Sequence, residues 1–280
     1  MNKLLNAGFH RLIKYKPYWL ECIAAIAYGL YLMVFNDYGY EVKTDVIMYD
    51  AVPFIGIVSG IVISQFIGDE YSCGTMRNQI ACGHTRREIY LSQIILSLIS
   101  TVNVLNIYII TVLISGYFRN FSFASDLSQL AKIYCCCILT VLSMVAIITI
   151  ISINISSKVI SLLTVLSTGL ILFASGTKIY GTLKEPEYRI HYNYETEYTY
   201  IRENPLYVSG IKRDINEFIV LANPYSTAYY EGELMFDEYI EYDRSKAAES
   251  PYTKIAIYSI IESAALIGAG IYLFGKKDVK

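Results

Sequence analysis

The densest polar stretch outside the long apolar blocks runs from Gly68 to Tyr90, Gly-Asp-Glu-Tyr-Ser-Cys-Gly-Thr-Met-Arg-Asn-Gln-Ile-Ala-Cys-Gly-His-Thr-Arg-Arg-Glu-Ile-Tyr. Gly74 and Gly83 punctuate it and leave a short helical piece between them. Thr85-Arg86-Arg87-Glu88 has the spacing of a capping box, so a long helix should begin near Arg86. Nothing in the stretch pairs a nucleophile with a base. The three histidines, His10, His84 and His191, are scattered along the chain. Gly270 to Lys277 has phosphate-loop spacing up to its lysine. It lacks the closing Ser or Thr and sits at the end of an apolar block rather than after a strand, so it is a chance match. Cys135, Cys136 and Cys137 are consecutive on a helix and face different directions, which suits packing and not a metal. The chemistry on offer is therefore mechanical. A short helix held by two long helices can pass force from a partner, and the competing reading is a solvated loop whose arginines only set topology.

Polar residues inside the apolar blocks form the second group. Glu262 lies near the middle of the last block, where an ionisable group is costly unless it meets water or a partner. It either lines a translocation path or holds two helices together. Asn103 and Asn106 share a helix face and are further candidates for a path, with interhelical hydrogen bonds as the alternative. Glu21, a few residues into the first block, is expected to reach back to the interface. Gly56, Gly60, Ser64 and Gly68 recur every four residues, a small-residue stripe that permits close helix packing within the bundle or across a dimer seam.

The elements that must position these residues follow from length and charge. Of the 280 residues, 54% are hydrophobic and 17% charged, against about a quarter charged in ordinary soluble domains. Mean hydropathy is +0.39 and the pI near 6.0, which excludes a disordered chain and a nucleic-acid binder. Crossing a bilayer takes roughly 20 apolar residues in a helix. Six blocks qualify: Tyr18–Phe35, Val46–Ile67, Ile89–Phe118, Leu130–Ile153, Val159–Thr177 and Ile255–Phe274. The fourth and fifth are joined by a tight turn and form an antiparallel hairpin. The expected fold is an all-α membrane protein of six transmembrane helices.

Lys3, Arg11, Lys14 and Lys16 precede the first block without an acid. Lys276, Lys277 and Lys280 follow the last against Asp278, and Arg77, Arg86 and Arg87 lie in the loop after the second. Asp37, Glu41, Asp45 and Asp50 dominate the loop after the first. By the positive-inside rule both termini and residues 69–88 are cytoplasmic. Residues 1–17 read as an interfacial amphipathic elbow helix, with Leu4, Leu5, Gly8, Phe9, Leu12 and Ile13 on one side and Pro17 as its break. Residues 18–177 carry five spans, and 255–280 the sixth with a cytoplasmic tail. Residues 178–254 carry nine Lys/Arg against fourteen acids and read as a small α+β extracytoplasmic insert. Tyr188–Ile201 alternates as a strand or hairpin would. The cysteines avoid this insert, so no structural disulfide is expected.

Glu70-Tyr71, Gly74-Thr75-Met76-Arg77-Asn78, Gly83, Thr85-Arg86 and Ile89, together with the ending Gly270-Ile271-Tyr272-Leu273-Phe274 and Lys276-Lys277-Asp278, resemble ABC-2-type transporter permeases. The elbow helix, six spans and insert before the last span fit the same family. The resemblance implies a permease subunit in the bacterial plasma membrane, not an enzyme, that pairs with a second permease copy or paralogue. No cofactor is implied in this chain. ATP and Mg would be bound by two separate ATPase subunits, and Glu70, Gly74, Thr75, Arg77, Asn78, Gly83, Arg86 and Arg87 would couple to them. The insert is longer than the pair of short re-entrant helices common in the family. An acidic, tyrosine-rich insert suits an amphipathic or cationic peptide, and permeases of this size include exporters of peptide toxins and bacteriocins. Export of lipid, glycan, drug or ion, and a non-transporting sensor whose insert binds a peptide, are the alternatives.

Overall fold

A computed structural model describes residues 1–35, 43–120, 122–123, 125–192, 199–239 and 251–277. Asp37 and Glu41 of the acidic loop, Tyr194 and Tyr198 of the tyrosine run, residues 240–250 of the insert, and Asp278 and Lys280 lie outside them.

The six expected spans are present as six helices long and apolar enough to cross a membrane. A short helix α1 (Asn2–Ile13) leads into α2 (Lys16–Phe35). The second span is not one rod. Helix α3 (Thr44–Asp50) stops at Ala51, and α4 runs Val52–Ser72. Pro53 has no N–H to give the Tyr49 carbonyl one turn back, and its ring crowds that carbonyl, so the helix breaks there. Helix α5 (Thr75–Ala81) is followed by α6 (Arg86–Phe118), α7 (Leu127–Asn154) and α8 (Lys158–Leu183). Asp126 and Gln129 cap α7 as Thr85 and Glu88 cap α6, each pair exchanging side-chain and backbone bonds.

Strands β1 (Tyr188–Tyr192) and β2 (Thr199–Glu203) form an antiparallel hairpin with Tyr188 opposite Glu203. Helices α9 (Gly210–Leu221) and α10 (Pro224–Tyr239) precede the last span, α11 (Pro251–Lys276).

Helix α4 is the most enclosed span. It packs on α7 and α8, while α2 packs on α6 and α11 on α7. The small-residue stripe makes these contacts close. A Cβ on Gly56 would sit 2.4 Å from the Met144 sulfur, and one on Gly60 2.9 Å from Val165. Ser64, fully buried, returns its hydroxyl to the Ile61 carbonyl at 2.9 Å. These contacts lie within one bundle.

The insert is more than an outer cap. Helix α10 buries Tyr225, Ala228, Glu231 and Met235 against α3, α4, α7 and α8. Tyr225 reaches Gly169, 3.3 Å from where its Cβ would be. Gly169 is some 16 Å along α8 from Lys158 at about 1.5 Å per residue, roughly half the depth of a hydrocarbon core of about 30 Å. So α10 packs into the bundle, α9 lies against α8 and α10, and the β hairpin stands apart from both. The tyrosines mislead because Tyr225 and Tyr229 pack inward, with Tyr229 against Phe173 and Tyr180.

Candidate functional site

One end of the bundle gathers α1, α5, the α7–α8 turn and the end of α11. Helix α5 hangs there between two glycines in the left-handed region, Gly74 at φ 67° and Gly83 at φ 87°. Most other residues would be strained at either point, because their Cβ would crowd the backbone carbonyl. Met76 plugs α5 into the core with no exposed surface, whereas Arg77, Asn78, Cys82, Gly83 and Arg87 face outward. The result is a knob with an anchored inner side and a basic, polar outer side.

Two consecutive acids at the end of α4 hold this knob from opposite directions. Glu70 is 4% exposed, and a carboxylate so withdrawn from water needs strong partners. Arg11 of α1 supplies a guanidinium 2.8 Å from Oε1. Gln93 of α6 donates to Oε2 at 2.7 Å. One carboxylate therefore joins α1, α4 and α6, with Gln79 of α5 beside it and α5 packed on α4 and α6. Asp69 points the other way. It accepts from Tyr15 at 3.1 Å and from Lys158, at the start of α8, at 2.6 Å.

The last span is tied in by Arg86, which donates to the carbonyls of Phe274, at 3.4 Å, and Lys277. Lys277 turns inward to donate to the Tyr71 hydroxyl at 3.0 Å and the Ile153 carbonyl at 2.9 Å. Burial pushes its ammonium down to about 8. Every long helix ending at this face is thus bonded, directly or through one neighbour, to the frame of α5.

The residues singled out from sequence fall into three sets here. Arg77, Asn78, Gly83 and Arg87 form the outward face. Gly74 and Thr75 form its half-buried hinge. Glu70 is buried and Arg86 half-buried, and both act through the helices they tie. Arg11, Gln79 and Gln93 went unnoticed. The available signal was a buried acid that must find a cation, with Arg11 two residues before the end of the amphipathic helix α1.

A second polar region lies deeper, where α7, α10 and α11 meet. Glu231 is fully buried, and Thr140 donates to its Oε1 at 2.8 Å. The Thr140 hydroxyl lies 3.4 Å from that of Ser259, and Ser143 donates to the Ser259 carbonyl at 3.1 Å. Glu262 is half-buried beside Ser143, one turn along α11 from Ser259, and so lies near an acid, Glu231, that the sequence reading passed over. Asn103 and Asn106 lie elsewhere, along an open groove of about 690 Å³ that Phe9 and Trp19 also line. Asn103 donates to Tyr18, and Asn106 accepts from Tyr134 at 2.7 Å. Glu262 and the asparagines therefore do not share one lining. Glu21 does not reach the interface either. It is 4% exposed and accepts from Ser59 of α4, because the inward face of α2 leaves its short side chain no route out.

Residues 13–279 match the family described as ABC-2 family transporter protein. The chain belongs to that family. No curated protein matches it. As an ABC-2 permease it is a multi-pass membrane subunit without ATPase activity of its own, and such permeases generally pair with ATPase subunits.

Proposed function

We propose that the chain is the permease subunit of an exporter in the bacterial plasma membrane, moving amphipathic or antimicrobial peptides outward. Both termini and the α5 knob face the cytoplasm, where the arginine-bearing loop belongs under the positive-inside rule. Two ATPase subunits, which bind ATP and Mg, dock on the outward face of α5, one under each of two permease copies. The observation that carries this reading is the placement of Glu70. A push on α5 moves a carboxylate bonded to α1 and α6 as well as α4, so it is delivered to the bundle rather than absorbed by a loop. Peptide as cargo is supported by the acidic insert, where Tyr188 stays exposed and offers apolar area with a polar tip.

The test uses the permease co-reconstituted with its ATPase in proteoliposomes. Arg77→Glu together with Arg87→Glu reverses the charge of the docking face without touching Glu70. Peptide-stimulated ATP hydrolysis should fall at least about tenfold, as expected on losing charge-assisted contacts. Basal folding, read by thermal unfolding, should stay put. Undiminished stimulation would remove the coupling role from this face.

A further inference from the structure

A cleft between α2, α4 and α6, well away from the α5 knob, has a volume of about 330 Å³. Its walls include Ala24, Ala25, Tyr28, Phe54 and Val58, and Glu21 carries the only carboxyl among them. Glu21 is 4% exposed. Its Oε1 accepts from Ser59, and its Oε2 has no hydrogen-bond partner among the described residues. A buried acceptor oxygen left open at membrane depth calls for a donor that the fold does not provide.

The mouth of the cleft lies on the lipid side, since Phe54 is 43% and Val58 40% exposed and Ala24 is exposed beside them. Along α2, Glu21 lies within a turn of Tyr18 and Trp19, a pair suited to the headgroup level. Tyr28 lies two turns deeper, its ring against those of Phe54 and Tyr108. The cleft thus has an acidic end near one interface and an aromatic, hydrocarbon end toward the middle of the bilayer. Its volume is at the lower limit for small-molecule sites.

We propose that this cleft binds a lipophilic amine, with its ammonium on Glu21 and one hydrocarbon chain against Tyr28 and Phe54. An ammonium brings the missing donor and the compensating charge together. An alcohol brings only the donor, and a fatty acid repels the carboxylate. The ammonium could belong to a free amine or to a phosphatidylethanolamine headgroup. The site stands on its own geometry and does not depend on what the chain exports.

The experiment measures binding of tritiated dodecylamine to the full chain in phosphatidylcholine nanodiscs, with empty nanodiscs subtracted. Saturable binding of one amine per chain is expected. Glu21→Gln should weaken it about 10- to 100-fold, the usual range for a hydrogen bond to a charged group. Ala24→Phe, a change at a lipid-exposed position, should block the mouth and abolish saturable binding with the fold intact by thermal unfolding. It carries the test if Glu21→Gln fails to fold. Dodecanol should compete poorly. Competition by added phosphatidylethanolamine would support an ammonium site and identify the headgroup as a source, whereas resistance to it would support one filled by free amines. Unchanged affinity in Glu21→Gln, saturable binding that survives Ala24→Phe, or dodecanol competing as well as the amine would each overturn the proposal.

Discussion

The two acidic regions of this permease are built to opposite specifications. At the α5 end, Glu70 is met by an arginine from α1 and a glutamine from α6, and Asp69 is tied to both Tyr15 and Lys158. Deeper in the bundle, Glu231 has hydroxyl and thiol neighbours, Thr140 and Cys137, and one oxygen without a partner. The Glu70 carboxylate is held by a guanidinium, which fixes one arrangement, whereas the bonds around Glu231 run to neutral hydroxyl and thiol groups that exchange partners more readily. The first suits transmission of a push, and the second suits a seam that opens. The contrast also orders the consequences of breaking each region.

The largest effect should come from Arg11→Met. It leaves the Glu70 carboxylate buried without its one cation among the described residues, and breaking a buried pair from one side costs about 3–5 kcal/mol. Arg11 is 35% exposed, so solvent screening favours the low end, about 3 kcal/mol. Thermal unfolding in nanodiscs should show the loss. The double variant Arg11→Met, Glu70→Leu should recover most of it, because an apolar pair needs no charge balance. Equal melting temperatures for wild type and Arg11→Met would mean that the clamp does not hold the elbow helix to the bundle.

Next in size is the seam between α8 and the inserted helix α10. A Cβ at Gly176 would fall 2.2 Å from the Ser226 Cβ, whereas nothing lies within 4 Å of one at Gly181 on the same helix. Gly176→Val should cost about 2 kcal/mol by forcing the helices apart. Gly181→Ala should be neutral or stabilising by up to about 1 kcal/mol. If both variants melt alike, α10 does not pack at this depth.

The deep seam should answer to function more than to stability. Glu262→Gln and Glu231→Gln keep a hydrogen-bonding side chain of the same shape, so unfolding should shift by no more than about 1 kcal/mol. ATP hydrolysis by the complex with its ATPase should drop severalfold in either, and no further in the pair if the two acids act as one unit. Full additivity would separate Glu262 from Glu231 and return it to helix packing.

The frame of this molecule was open to reading from its sequence, and its interior was not. Span length and charge depend on composition over windows of about 20 residues, so six helices and the capped start of α6 were legible. So was the hairpin at Tyr188–Ile201, whose side chains alternate. The break at Ala51 could have been read from Pro53 but was masked by the apolar run around it. The descent of α10 into the bundle was hidden because Tyr225, Tyr229 and Glu231 look like surface residues by type. Whether such a side chain is buried depends on partners more than fifty residues away, as Tyr225 on Gly169 and Glu231 on Thr140 illustrate. The same holds for Glu70, whose neighbours on α1 and α6 share no local pattern with it.

The smallest effect belongs to an acid that is neither clamped nor deeply buried. Glu185 at the base of the β hairpin accepts from Arg189 and, at 2.8 Å, from Asn204. These two bonds hold its carboxyl below the usual carboxylate range, the Arg189 bond contributing most. Arg189 is directly opposite Arg202 across the strands, a like-charge pair that opposes pairing. Glu185 offsets that repulsion only while ionised. Its folded pKa is depressed, so its support is fully present above the ordinary value of about 4.3 and is lost as the pH falls through the folded pKa. Protection of the β1–β2 amides against hydrogen exchange, corrected for intrinsic rates, should therefore decline on going from pH 6 toward pH 3. Glu185→Gln should show weaker protection at pH 6 and a flatter profile below it. A wild-type profile as flat as that of the variant would mean that water alone screens the arginine pair, and that only the acids withdrawn from solvent organise this fold.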